Sequence, residues 1–63
     1  MHTWRVKGHN KDETIEAITG LTAINRVFKQ RFKPYLVAAS HTSVKHKGEF
    51  IVANRVKDNK ETA

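Results

Sequence analysis

Between Asp12 and Phe32 the chain reads DETIEAITGLTAINRVFKQRF, and its apolar residues recur at helical spacing. Ala17, Leu21, Ile24 and Phe28 follow one another at steps of four, three and four, with Ile18 and Phe32 on the flanks. At about 100° per residue these six occupy an arc of about 120°, the width of a core-facing stripe. Asp12 and Glu13 stand at the front and Arg26, Lys29, Arg31 and Lys33 at the back, an order that suits the helix macrodipole. Pro34 then forces the chain out of helical geometry. The spacing predicts one long helix from Asp12 to Phe32. Three residues strain against it. Ile15 and Val27 lie off the stripe, and Gly20 costs about 1 kcal/mol in a helix interior relative to Ala.

The flanking segments have β character. His2 to Lys7 alternates, with Trp4 and Val6 on one side and Thr3, Arg5 and Lys7 on the other. Beyond Pro34, Tyr35 to Val44 reads as a second strand and Glu49 to Lys57 as a third, turned at Gly48. The expected fold is therefore α+β: a single small β-α-β-β domain with one long helix on a three-stranded sheet, the third strand central. The apolar run Phe50-Ile51-Val52-Ala53 suits a strand covered on both faces. In this arrangement Trp4, Val6, Leu36, Ala38, Phe50 and Val52 face the helix. Breaking the helix at Thr19-Gly20 gives the alternative, a winged helix-turn-helix with the hairpin as the wing.

A chain of 63 residues makes one domain, taken as residues 1–57, with 58–63 as a disordered C-terminal tail. A core this small yields a stability of a few kcal/mol or depends on association. There is no cysteine, so neither a disulfide nor a thiolate metal site is available, which is compatible with a reducing compartment. No apolar run approaches the ~18 residues of a membrane span, and the N-terminus lacks the apolar core of a signal peptide. A cytoplasmic protein with no membrane partner is expected.

Catalytic chemistry finds no foothold. His2, His9, His41 and His46 are not spaced as ligands on a helix, and His41 and His46, five apart on a strand, point to opposite faces. Asp12, Glu13 and Glu16 are explained by capping and the macrodipole. Ser40, Thr42 and Ser43 have no strained elbow around them, and the three glycines form no phosphate-cradling motif. The sequence thus assigns no catalytic residue, no cofactor and no metal site.

Charge carries the functional expectation. Twelve Lys and Arg against six Asp and Glu leave a net +6, with a pI near 10.1, the footprint of a polyanion binder. On the strand pattern Arg5, Lys7, Arg55 and Lys57 share the face turned away from the helix, and Lys45 and Lys47 flank the hairpin tip. These six are the expected nucleic-acid contacts, with Arg26, Lys29, Arg31 and Lys33 as a secondary basic patch. The same face exposes an apolar strip of Tyr35, Val37, Ile51 and Ala53, a partner or homodimer interface. The expected function is a small, non-enzymatic, nucleic-acid-binding regulator, with DNA ahead of RNA as its partner. The alternative is a protein-binding module, or a phage-type inhibitor, docking on an acidic host protein through the apolar strip.

Overall fold

The computed structural model describes residues 1–56 and contains a five-stranded antiparallel sheet with one short helix. The elements run β1 (His2–Gly8), β2 (Lys11–Ala17), α1 (Gly20–Phe28), β3 (Leu36–Val37), β4 (His41–His46) and β5 (Glu49–Arg55). Across the sheet the order is β2-β1-β5-β4-β3, so β5 lies between β1 and β4. This overturns the β-α-β-β arrangement, and the winged helix-turn-helix with it. Lys57 and the tail at 58–63 lie outside the described residues.

The long helix fails at its N-terminal half because Asp12 to Ala17 finds a better partner. Gly8 and Lys11 bracket a two-residue turn in which His9 and Asn10 both adopt positive φ, 48° and 66°. That is the turn geometry whose twist matches a β-hairpin, and Asn tolerates it well. Once the turn forms, β2 pairs with β1 along its whole length, from Gly8↔Lys11 to His2↔Ala17. Ile15 and Ala17, two residues apart, then turn to the core together while Thr14 and Glu16 face solvent. Ile15, the residue off the helical stripe, belonged to a strand of period two.

The helix proper begins at Gly20. Thr19 is its N-cap, with Oγ1 accepting the backbone N–H of Thr22 at 3.1 Å. The buried residues Gly20, Ala23, Ile24 and Val27 repeat at i, i+3, i+4 and i+7, while Leu21 and Phe28 are half-buried on the flank. The core face is therefore rotated from the predicted stripe to include Val27. Lys29 ends the helix in a left-handed conformation, φ 56°, and the N–H groups of Lys29 and Gln30 both donate to the Asn25 carbonyl. Asn25 Oδ1 then accepts from the Phe32 N–H at 3.0 Å, holding the exit segment. The helix therefore stops four residues short of Phe32, before Pro34 acts.

Beyond Pro34 the expected second strand is broken in two. Ala38 donates to the His41 carbonyl at 2.8 Å, turning the chain so that β3 and β4 pair with each other. A second tight turn, with Lys47 at φ 52° and Gly48 at φ 80°, joins β4 to β5 and sets Val44 opposite Ile51. The helix packs across β1, β2, β4 and β5 on one face of the sheet. Between them lies the core of Trp4, Val6, Ala17, Ala23, Ile24, Val27, Val44, Ile51 and Ala53. Trp4 Nε1 donates to the Ala17 carbonyl at 3.2 Å, so the buried indole is satisfied.

Gly20 is where the helix comes nearest the sheet. A Cβ added there would stand 2.6 Å from Thr42 Oγ1, 2.8 Å from Thr42 Cβ and 3.0 Å from the Trp4 ring. Both neighbours are buried, so neither can swing aside. Gly20→Ala is expected to destabilise the domain by about 1–3 kcal/mol through overpacking, despite the better helix propensity of Ala. Urea denaturation checks this; a stabilised variant would show that the helix end can lift away freely.

Candidate nucleic-acid interface

The helix covers one face of the sheet, and among the described residues nothing packs over the other. Strand alternation and register fix which side chains occupy it. Because Trp4, Val6, Val44, Ile51 and Ala53 point to the core, their neighbours point away. One row across the outer face reads Arg5, Asn54, His41; the next reads Lys7, Val52, Ser43, Leu36; the third holds Phe50 and Lys45. Tyr35, just before β3, adds its ring against Phe50, with centroids 5.1 Å apart and planes at 68°. Tyr35 is 67 % exposed, and Leu36 and Phe50 are each 49 % exposed.

The cations on this face differ in availability. Arg5 is committed to Asp12 across the β1–β2 pair, donating from Nε at 2.9 Å and Nη2 at 2.8 Å to the two carboxylate oxygens. Asp12 is held below the ordinary carboxylate value, first by that hydrogen bond and then by the charges of Arg5 and Lys7. Lys7, Lys45 and Lys47 make no ion pair with any described residue. Lys45 Nζ lies 6.0 Å from the Phe50 ring centroid, so cation and aromatic face are presented together. Lys47 is exposed in the β4–β5 turn, one residue beyond the end of β4.

The remaining expected contacts scatter. Arg55 shares the core-side parity of Ile51 and Ala53, opposite to Arg5 and Lys7, and lines a cleft at the helix N-terminus with His2, Trp4, Ile18 and Val37. Val37, 64 % exposed, belongs to that cleft rather than to the outer face. Ile51 and Ala53 are fully buried in the core and offer no contact surface. Among the expected strip residues Tyr35 stays on the open face, where Phe50, Val52 and Leu36 replace the other three. Arg26 rides on the helix, its Nη1 donating to the Glu16 carbonyl at 3.5 Å. Lys29, Arg31 and Lys33 are exposed at and beyond the helix C-terminus.

No family model matches the chain, and no curated protein or solved structure matches it either. Function must be read from the surface itself. Among the described residues no three His, Asp or Glu side chains gather as a metal site, and no helix is long and apolar enough to cross a membrane. His9 and His46 do meet, with centroids 5.3 Å apart, but they pack with Phe28 and Phe32 beside the helix end. His9 Nε2 lies 2.9 Å from the His46 carbonyl oxygen, a hydrogen bond that ties the two hairpin turns together.

Phe50 was hidden by its own neighbours. In Phe50-Ile51-Val52-Ala53 every residue is apolar, so alternation alone gives either parity. The turn supplied the missing information. A two-residue Lys47-Gly48 turn pairs Val44 with Ile51, and Val44 is the one large aliphatic side chain in HTSVKH. If Val44 is core, so is Ile51, and Phe50 must face out.

Proposed function

We propose that this protein is a small, basic, non-enzymatic nucleic-acid-binding regulator that contacts phosphates through its open sheet face and the β4–β5 turn. The observation that supports this reading is the pairing of Lys7 and Lys45 with exposed aromatic rings on a face that no described helix covers. Both lysines are without ion pairs among the described residues, and Lys47 is exposed in the adjoining turn. The net charge of +6 supplies the long-range attraction. In this reading the protein works in the cytoplasm, with which its lack of cysteine is compatible.

A charge-reversal comparison tests it. Lys7→Glu with Lys45→Glu lowers the net charge by the same amount as Arg26→Glu with Lys29→Glu. At about 50 mM salt each phosphate contact is worth roughly tenfold in affinity, so the sheet-face pair should lose about 100-fold. The helix pair should lose only a few-fold. Equal losses for both pairs, measured by fluorescence anisotropy on labelled oligonucleotides, would reduce the charge to a general field effect and overturn the site.

The exposure of Tyr35, Leu36 and Phe50 also favours a second reading, a protein-binding module or inhibitor taking an acidic partner, or a second copy of the chain, on the same strip. Capture from lysate with and without nuclease separates the readings. One stoichiometric protein band that survives nuclease favours the second.

A further inference from the structure

The aromatic pair on the open face points to the form of nucleic acid. We propose that this face binds single-stranded nucleic acid, with unpaired bases stacked on Phe50 and Tyr35 and the backbone held by Lys45 and Lys7. The inference rests on the nucleic-acid reading above and deepens it.

A β-sheet face with exposed rings suits a single strand for a geometric reason. In a duplex the bases already stack on one another and show a protein only their edges, within grooves that a broad sheet enters only by deforming the duplex. Unpaired bases show their π-faces, and every base has one, so stacking needs no particular sequence. Phe50 and Tyr35 supply the complementary surfaces. Their planes meet at 68°, so one base cannot lie parallel to both rings; neighbouring bases must divide between them. Val52 and Leu36 extend the apolar floor across the adjoining row.

The cations are placed for the backbone of such a strand. Lys45 is the cross-strand partner of Phe50, with Nζ 6.0 Å from its centroid, within reach of the phosphate of a nucleotide stacked there. Lys7, on the neighbouring strand opposite Val52, stands on the other side of the same ring. Strands lie about 4.8 Å apart, so the face from β1 to β3 offers a track about 14 Å wide, with Lys7 at the β1 margin, Phe50 and Lys45 on the two inner strands and Tyr35 beside β3. The positive surface also excludes an occupant rich in Lys and Arg.

The test compares oligothymidylate and oligouridylate of twelve nucleotides with a mixed-sequence duplex of equal length, by anisotropy, using wild type, Phe50→Ala, Tyr35→Ala and Phe50→Trp. Both aromatic positions are exposed, so each variant should keep its fold, which circular dichroism checks. Both single strands should bind more tightly than the duplex, and each alanine variant should lose about 5- to 150-fold, the worth of one base stacked on an aromatic ring. Phe50→Trp should retain affinity. With Lys7 and Lys45 on phosphates the single-strand salt slope should be about −1.4, unchanged in Phe50→Ala because the ring carries no charge.

A duplex bound as tightly as the single strands would overturn stacking. So would alanine variants that bind like wild type while Lys7→Glu with Lys45→Glu abolishes binding; phosphate contact would then survive without it. Absence of binding to all three ligands would remove the nucleic-acid reading itself, and the inference with it.

Discussion

Ile51→Lys is expected to unfold the domain, whereas Phe50→Lys, one residue away, should leave it folded. Ile51 is fully buried, paired with Val44 on β4 and roofed by the helix. A lysine there would carry its ammonium into the core beside Val6, Ile24 and Ala53, with no anionic partner among the core residues. The charged form would cost several kcal/mol, comparable to the whole stability of a domain this size. Phe50 loses only half-exposed surface, and its replacement faces water, so its melt should shift little. Had Ile51 lined an exposed strip, the same substitution would have been harmless. Circular dichroism melts of the two variants therefore read strand parity directly. A folded Ile51→Lys beside an unfolded Phe50→Lys would invert the sheet faces.

Ile24→Ala should cost about 2–5 kcal/mol and Leu21→Ala clearly less. Both residues fall on the helical stripe seen in the sequence, but they differ in what surrounds them. Ile24 is fully buried at the centre of the helix face, whereas Leu21 is half-buried beside the core cluster. Truncating Ile24 leaves a cavity walled by helix and sheet, which a short helix pinned at Gly20 against Trp4 and Thr42 cannot close by sliding. At Leu21 water can follow the missing side chain. Urea denaturation of both variants gives the ranking; a larger loss at Leu21 would mean that the helix is rotated about its axis.

How much of this was legible in the chain depended on how far each signal reached. His2 to Lys7 alternates over a β-rich composition, and the strand and its inward residues Trp4 and Val6 stand where that pattern puts them. The Gly48 turn was equally local and equally readable. Asp12 to Ala17 is ambiguous locally because acidic residues at a helix start and an exposed strand look alike in isolation. The choice was made by His9-Asn10, whose turn offered the segment seven residues of pairing with β1. Of the three residues that strain against one long helix, Ile15 marks where it does not run, Gly20 marks where it begins, and Val27 belongs to its rotated core face. For the interface, the basic residues were visible but their sides were not. Four consecutive apolar residues leave the parity of β5 open, and the opposite parity would put Arg55 on the outer face and Phe50 in the core. Asp12's hold on Arg5 needed the hairpin itself, since the two residues are seven apart in sequence and become close only across β1 and β2.

The central claim, that the open sheet face is the binding surface, is tested most directly by methyl and aromatic NMR during titration with a single-stranded oligonucleotide. Side-chain signals distinguish the two faces of the sheet, which backbone amides do not. The account predicts that the methyls of Leu36 and Val52 and the rings of Tyr35 and Phe50 shift on binding. Val27 and Leu21, on the helix, should remain still, as should Val44 and Ile51 in the core. Shifts centred on Leu21 and Val27, with Leu36 and Val52 unmoved, would move binding to the helix side and contradict it.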